Sequence, residues 1–332
     1  MTEQGLVVYL KNCLRTEGPE VLTVTGHPSP DGDAVISALF EAWRLTKAGR
    51  PASPLVQAKA LPREVAWLLG KAAPLMPLGQ VGESSRTLVL TDHHEVENYA
   101  GRVVAVIDHH PLSAPLTVAD VQVRPVGATT TLVTERLRRD GVTPDAFCAR
   151  VLLGAVLLDT EGLSPFKAKE EDVAQAKWLA TLCGEEPAAL YALLQEKLLE
   201  EQDVSTLFYR DYRRYNGVDG APLLGFAILK VWADHPPDTE AVRRLLLEDL
   251  ATGARVAVAK IAMYRRDGGR EERYLAAGAE ADAFLREVQR VGGEAACREA
   301  EDAVFLPETC VHRGRKWYAA RLEQIFAKKA EK

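Results

Sequence analysis

The chain has 332 residues, with 47% apolar residues, 27% charged residues and a formal net charge of −6. This is the composition of a globular protein long enough to bury two cores, and the absence of any run of about 18 apolar residues excludes a membrane-spanning helix. The acidic balance argues against broad nucleic-acid binding, although a local basic patch could still hold a small anion.

In chain order, residues 4–16 carry the spacing of an amphipathic helix, and VLTVTG at 21–26 reads as a buried strand. A loop then presents His27, Asp31 and Asp33 before the helical pattern of 34–48. Taken alone, this loop reads equally as a polar turn in which Asp33 caps the next helix. The Pro- and Leu-rich segment 51–82 is expected to hold a short strand and a short helix. TLVLTDHHE, 87–95, delivers Asp92, His93, His94 and Glu95 from a β-rich run, and VVAVIDHHP repeats the device with a strand at 103–107 followed by Asp108, His109 and His110. A helix pattern covers 127–141, and FCARVLLGAVLLDTEGL runs apolar into Asp159.

After a polar stretch at 196–205, strands are expected at 221–231, 255–265 and 272–278, the last two joined by a hairpin over Asp267, Gly268 and Gly269. Helix patterns cover 239–252, 280–291 and 317–328, and the final AKKAEK is expected to be disordered. The alternation predicts an α/β protein, with a mainly parallel sheet flanked by helices on both faces in the N-terminal domain (1–195) and a second, smaller α/β domain (203–328). The five cysteines (13, 148, 183, 297, 310) are scattered without a C-x-x-C pair, so neither a disulfide framework nor a thiolate zinc site is expected. With no apolar core for a signal peptide in MTEQGLVVYLKNCLRTEG, a cytoplasmic location is expected.

Five of the seven histidines lie in the three clusters at strand ends, each beside an aspartate. Scattered structural histidines do not produce that pattern, whereas a metal centre does. Imidazole and carboxylate without thiolate suit Mn²⁺ or a similar first-row ion, with Co²⁺ or Mg²⁺ as alternatives. Four aspartates and two histidines exceed the needs of one ion and imply two, about 3.5–4 Å apart, as used for in-line attack on phosphorus.

GHPSPDGDA, LTDHHE, VIDHHP and LLGAVLLDTEGL, in this order and spacing, resemble the four motifs of the DHH phosphoesterase superfamily. RDYRRYN at 210–216 and GRKW at 314–317 resemble the second domain shared by family II inorganic pyrophosphatases, exopolyphosphatases and prune-like proteins. The resemblance implies one ion held by His27, Asp31, Asp92 and Asp159 and a second held by Asp33, Asp92, His109 and Asp159. It also implies that Asp108 orients imidazole rings and that His110 faces the substrate phosphate. Arg213, Arg315 and Lys316 match the family's phosphate contacts. The metals would then lie on the first domain and these cations on the second, gripping a bound phosphoanhydride from both sides.

This chain departs from the pyrophosphatases in having Ser29, Gly32, His94 and Arg213 where they usually carry Asn, Thr, Asn and Lys. The presence of His27 favours a pyrophosphatase-like centre, while LLGAVLLDTEGL and DYRRY look as much like the exopolyphosphatase branch. Hydrolysis of pyrophosphate is therefore expected, with short-chain polyphosphate the close alternative and nucleotide or phosphodiester substrates behind it. A non-catalytic phosphate binder is the other class, which a complete ligand set disfavours. Similar pyrophosphatases are often homodimers, and the roles of His93 and His94 stay open.

Overall fold

The computed structural model describes residues 2–15, 18, 20–81, 87–112, 114–200, 203–217, 222–310 and 313–330. The side chains of 222, 316 and 325–330 lie outside that description, as do residues 331–332; of the C-terminal AKKAEK, expected to be disordered, the backbone of 327–330 is helical instead and 331–332 fall outside the described residues. Two compact units are present, Met1–Leu198 and Leu199–Lys332. Among the described residues no helix is long and apolar enough to cross a membrane.

The first unit runs α1 (Glu3–Cys13), β1 (Leu22–Thr25), α2 (Gly32–Lys47), β2 (Ala52–Leu55), α3 (Arg63–Leu69), β3 (Thr87–Thr91), β4 (Arg102–Asp108), β5 (Asp120–Val123), α4 (Thr129–Arg139), α5 (Ala146–Asp159), α6 (Glu170–Cys183) and α7 (Pro187–Leu198). Its strands form a sheet of order β2-β1-β3-β4-β5 in which every neighbouring pair is parallel. The central strands are short and apolar because a parallel strand buried on both faces cannot alternate with polar residues. On one face Val24, Val89, Ala105 and Ile107 join a core with α2, α4 and α5. On the other, Leu88, Leu90 and Val106 are packed by Val81, Val96, Tyr99, Val103, Leu116, Val118 and Val123, none of which lies in an α-helix. The expected second helical layer is thus replaced over the sheet centre by connecting segments.

The apolar run that ends at Asp159 is helix α5, whose N-terminus is capped by Asp145 Oδ1 accepting from the Cys148 amide at 3.0 Å. Its periodicity is hidden because it is buried on almost every side, from Cys148 to Leu157. A helix that is hydrophobic all round belongs in the middle of a core.

The second unit comprises α8 (Val204–Arg210), β6 (Tyr212–Asn216), β7 (Pro222–Trp232), α9 (Thr239–Leu250), β8 (Val256–Tyr264), β9 (Arg270–Ala277), α10 (Ala281–Gly292), β10 (Cys297–Ala300), β11 (Ala303–Leu306) and α11 (Arg315–Ala330). The sheet order is β10-β11-β9-β8-β7-β6, with β7 and β8 parallel and the other pairs antiparallel. Here both faces do receive helices. Leu224, Phe226, Val258 and Tyr274 pack with Phe284 of α10 and Tyr318 of α11, while Ala227, Leu229 and Ile261 pack with Phe208 of α8 and Leu246 of α9.

Candidate metal centre

The centre of the first unit assembles at the carboxyl ends of β1, β3 and β4, the position at which open α/β sheets receive ligands. β1 turns into α2 through Gly26, where an added Cβ would meet both the Ala34 Cβ and its carbonyl oxygen at 2.7 Å. Glycine therefore allows His27 to be delivered so close to the helix. α2 is capped by Asp31, whose Oδ1 accepts from the Ala34 amide at 3.1 Å. Its other oxygen faces His27 Nε2 at 3.9 Å. The capping residue is thus Asp31, and Asp33 is released for another task.

Asp33 is buried and reaches across to α4, whose first amides, Thr129 and Thr130, donate to its two oxygens at 2.6 and 2.7 Å. A carboxylate at a helix N-terminus satisfies amides that have no partner within the helix. The same Thr129 donates its hydroxyl to Asp92 Oδ1 at 3.2 Å. Asp92 follows β3 with φ of 61°, a left-handed conformation unusual for a side-chain-bearing residue and typical of functional sites.

Asp92 Oδ2 lies 3.4 Å from His27 Nε2, and Asp92 Oδ1 lies 3.3 Å from His109 Nε2. His109 Nε2 is in turn 3.6 Å from Asp159 Oδ2 at the end of α5. His109 Nδ1 donates to the Val126 carbonyl at 3.1 Å, which fixes the ring with Nε2 towards the carboxylates. Among the described residues three groups could each hold an ion, His27 with Asp31 and Asp92, Asp33 with His109 and Asp159, and Asp92 with Asp108, His109 and His110, the last overlapping the other two through Asp92 and His109.

The donor set fits divalent ions. Two donors each about 2.1 Å from one ion stand about 3.0 Å apart at a right angle and about 3.4 Å apart in a tetrahedron. The separations of 3.3 and 3.4 Å fall in that range and those of 3.6 and 3.9 Å lie beyond it, and all four exceed those of good hydrogen bonds. Electrostatics agrees. Burial and the nearby Asp92 and Asp159 push the Asp33 carboxyl well above the ordinary carboxylate range, and burial raises Asp159 despite His109 and Lys167. Burial would raise Asp92 too, but the adjacent His109 and His27 imidazoles hold it well below the ordinary carboxylate range. Three carboxylates gathered in one pocket need more positive charge than two imidazoles supply.

Asp108 is fully buried. It holds His110 through Nδ1 at 2.8 Å and the His110 amide at 3.1 Å, and His94 through Nδ1 at 2.5 Å. The two histidines outside the ligand groups of the second motif therefore part company. His94 shares the Asp108 carboxylate with His110, whereas His93 is a buried support. Its Nδ1 donates to the Thr91 carbonyl at 2.9 Å and its Nε2 lies 2.7 Å from the Tyr99 hydroxyl, to which Gln57 also donates while holding the Gly26 carbonyl.

Sequence reading missed Thr129, Thr130 and Asp172. Asp172 accepts from the Gly127 amide at 2.7 Å and the Thr131 hydroxyl at 2.6 Å, so it steadies the start of α4. The available signal was the GATTT string, in which threonines crowd the first turn of a helix directly after a glycine. Lys167 was missed as well; its ammonium donates to the Asp159 carbonyl at 3.2 Å. In the second unit Arg315 Nη1 lies 2.6 Å from Asp211 Oδ1, and Arg213 stands on β6 beside it. The Lys316 side chain lies outside the described residues.

Residues 21–181 match the DHH family, N-terminal domain. A Brevibacillus brevis relative described as a probable manganese-dependent inorganic pyrophosphatase is 32% identical over 170 residues, 48% of this chain and 54% of that protein. A manganese-dependent inorganic pyrophosphatase of Methanothrix thermoacetophila is 25% identical over 58% of this chain and 65% of that protein. The matched regions thus span between 54% and 65% of these relatives. A solved Methanococcus jannaschii protein described as a family II inorganic pyrophosphatase shares the fold, with a TM-score of 0.72 at 20% identity over 91% of this chain and 98% of that one.

Proposed function

We propose that this chain, whose residues 21–181 match the N-terminal domain of the DHH family, is a divalent-metal-dependent phosphoanhydride hydrolase that converts pyrophosphate and water to two phosphates. The observation that carries this reading is the pair of ligand groups, His27 with Asp31 and Asp92, and Asp33 with His109 and Asp159, joined through Asp92. We assign two manganese ions to them, with Asp92 and Asp159 as the carboxylates shared between the ions. When bound, such ions supply an activated water and neutralise phosphate charge.

The remaining groups orient and grip. Asp108 accepts from His110 Nδ1, which leaves His110 Nε2 to face a phosphate oxygen. Asp33 holds its place through two amide hydrogen bonds, so its geometry does not depend on the substrate. Arg213, Arg315 and Lys316 are assigned to the phosphoanhydride as charge-assisted donors. The reading includes a cytoplasmic location, supported by cysteines that are all free, and a homodimer testable by light scattering.

Phosphate release from pyrophosphate and tripolyphosphate with Mn²⁺, before and after chelation, tests the assignment. Turnover of pyrophosphate that vanishes with the metal supports it. A preference for tripolyphosphate moves the assignment to polyphosphate, and no release from either substrate refutes it.

A further inference from the structure

One face of the second unit's sheet changes character along its length. On β7, Leu224, Phe226 and Ile228 point into the core shared with α10 and α11, and the next residue on that face is Lys230. On β8, Val256 and Val258 are followed by Lys260, and on the antiparallel β9, Ala276 and Tyr274 give way to Glu272 and Arg270. The charged end is the carboxyl end of the parallel pair β7 and β8, where α/β sheets present ligands.

Part of this charge is balanced internally. Lys260 Nζ and Arg270 Nη2 each lie 2.5 Å from Glu272 Oε1, and the Tyr274 hydroxyl donates to Glu272 Oε2 at 2.7 Å. Lys260 also donates to the Arg313 carbonyl at 3.4 Å, two residues before Arg315. The rest gathers around Asp211. Its carbonyl accepts from the Ile228 amide at 3.0 Å and from Arg315 Nη1 at 2.9 Å, while its carboxylate holds the same guanidinium at 2.6 Å. Burial would raise the Asp211 carboxyl, but Arg315, Lys230 and Arg213 hold it below its ordinary value. One carboxylate thus faces three cations. Lys230 makes no hydrogen bond or ion pair of its own among the described residues, and the buried Tyr215 hydroxyl, which lies against Arg315 and near Arg213, finds no acceptor there for its proton.

We propose that Lys230 is a further phosphate-contacting residue, and that Asp211 is a positioning residue that sets Arg315, Arg213 and Lys230 around one phosphoanion on this face. The inference rests on the phosphoanhydride reading above and extends it to a residue outside the four motifs and the two second-domain strings. A bound phosphate oxygen would take the donors that Lys230 and the Tyr215 hydroxyl leave unused.

Two opposed charge effects make the role of Asp211 testable. If Asp211 were only a counter-charge, its neutralisation would make the cluster more positive and tighten anion binding. If it positions the cations, neutralisation loosens binding although the charge rises. The measurement is calorimetric titration of tripolyphosphate into the full-length chain, stripped of metal and dialysed free of chelator, with circular dichroism confirming the fold of each variant. Lys230→Ala should weaken binding about 10-fold and Lys230→Arg by no more than about threefold. Asp211→Asn should weaken it about fivefold, while Arg286→Ala, which removes an equal charge from the surface of α10, should change it less than about twofold. Binding by Lys230→Ala within about twofold of the parent, or by Asp211→Asn as tight as the parent or tighter, overturns the proposal. Because the titration needs neither metal nor turnover, Lys230-dependent binding by a chain that releases no phosphate with Mn²⁺ would leave this inference standing and refute only the hydrolase assignment.

Discussion

The two units place charge at the same location, the carboxyl ends of parallel strands, with opposite sign. In the first, Asp31, Asp33, Asp92 and Asp159 outnumber His27 and His109, and on the proposed assignment exchangeable ions would complete the pocket. In the second, Arg213, Lys230, Lys260, Arg270 and Arg315 outnumber Asp211 and Glu272, and the carboxylates that balance them are part of the chain. The contrast teaches that a buried anionic pocket can be left unbalanced when its counter-charge is exchangeable. A buried cationic pocket in the same protein keeps enough covalent counter-charge to fold without its ligand.

The sharpest way to break this comparison is Asp92→Ala. It should lower turnover by about 10³-fold or more, about 4 kcal/mol, and reduce the divalent ions retained after purification, because Asp92 touches both ligand groups. Phosphate release and elemental analysis check both parts, and a variant that keeps its activity would refute the shared-carboxylate centre. On the other side, Glu272→Ala strands the buried Lys260 and should cost about 3 kcal/mol in urea unfolding. Pairing Glu272→Leu with Lys260→Met should recover most of that loss, and an unchanged midpoint for Glu272→Ala would mean that the pair does not matter for folding.

Next in size is Lys316→Ala, expected to lower kcat/KM by about 10²-fold, about 2.7 kcal/mol, with metal content unchanged. An effect of only a few fold on every phosphoanhydride would remove the second unit from catalysis. The smallest effect is a pH dependence. Asp33 and His109 both stand above their ordinary values, His109 because Asp92, Asp159 and Asp33 outweigh its burial. Each holds a proton in the folded, metal-free chain that the unfolded chain releases, so metal-free stability falls as pH rises through the range above the ordinary values. Asp92 works in the opposite sense, and its contribution is lost only in acid, as pH falls through its depressed value. Bound ions displace the Asp33 and His109 protons. The stabilisation by Mn²⁺ seen in thermal unfolding should therefore grow between about pH 6 and about pH 8, by about 1 kcal/mol per pH unit for each proton displaced. A flat profile would show that these protons are not linked to metal.

Legibility in the sequence followed the same divide. The metal centre was readable because its imidazoles and carboxylates are packed into short strings directly after apolar strands. The cationic face of the second unit was not, since its residues are spread over several elements between Asp211 and Arg315, and a lysine such as Lys230 in a strand resembles any solvated cation. Among helices, α6 escaped notice because half of what it buries is polar, Asp172 and Gln175 beside Ala176 and Leu179, so no hydrophobic stripe marks it. β10 and β11 are four residues each, with a register shift between Arg298 and Ala300, too short and irregular for a period-two signal.

The difference between Asp31 and Asp33 has a kinetic consequence. Asp33 is buried with both oxygens fastened to the start of α4, whereas the Asp31 side chain is 57% exposed and fastened at one oxygen only. An ion on the His27 and Asp31 side would be held by a carboxylate that can turn away into incoming water, while one on the Asp33 and His109 side would have to break from a buried carboxylate that two amides keep in place. Chelation should accordingly empty the centre in two phases, the Asp31 position first, so that a freshly stripped sample passes through a half-loaded species before the slower ion departs.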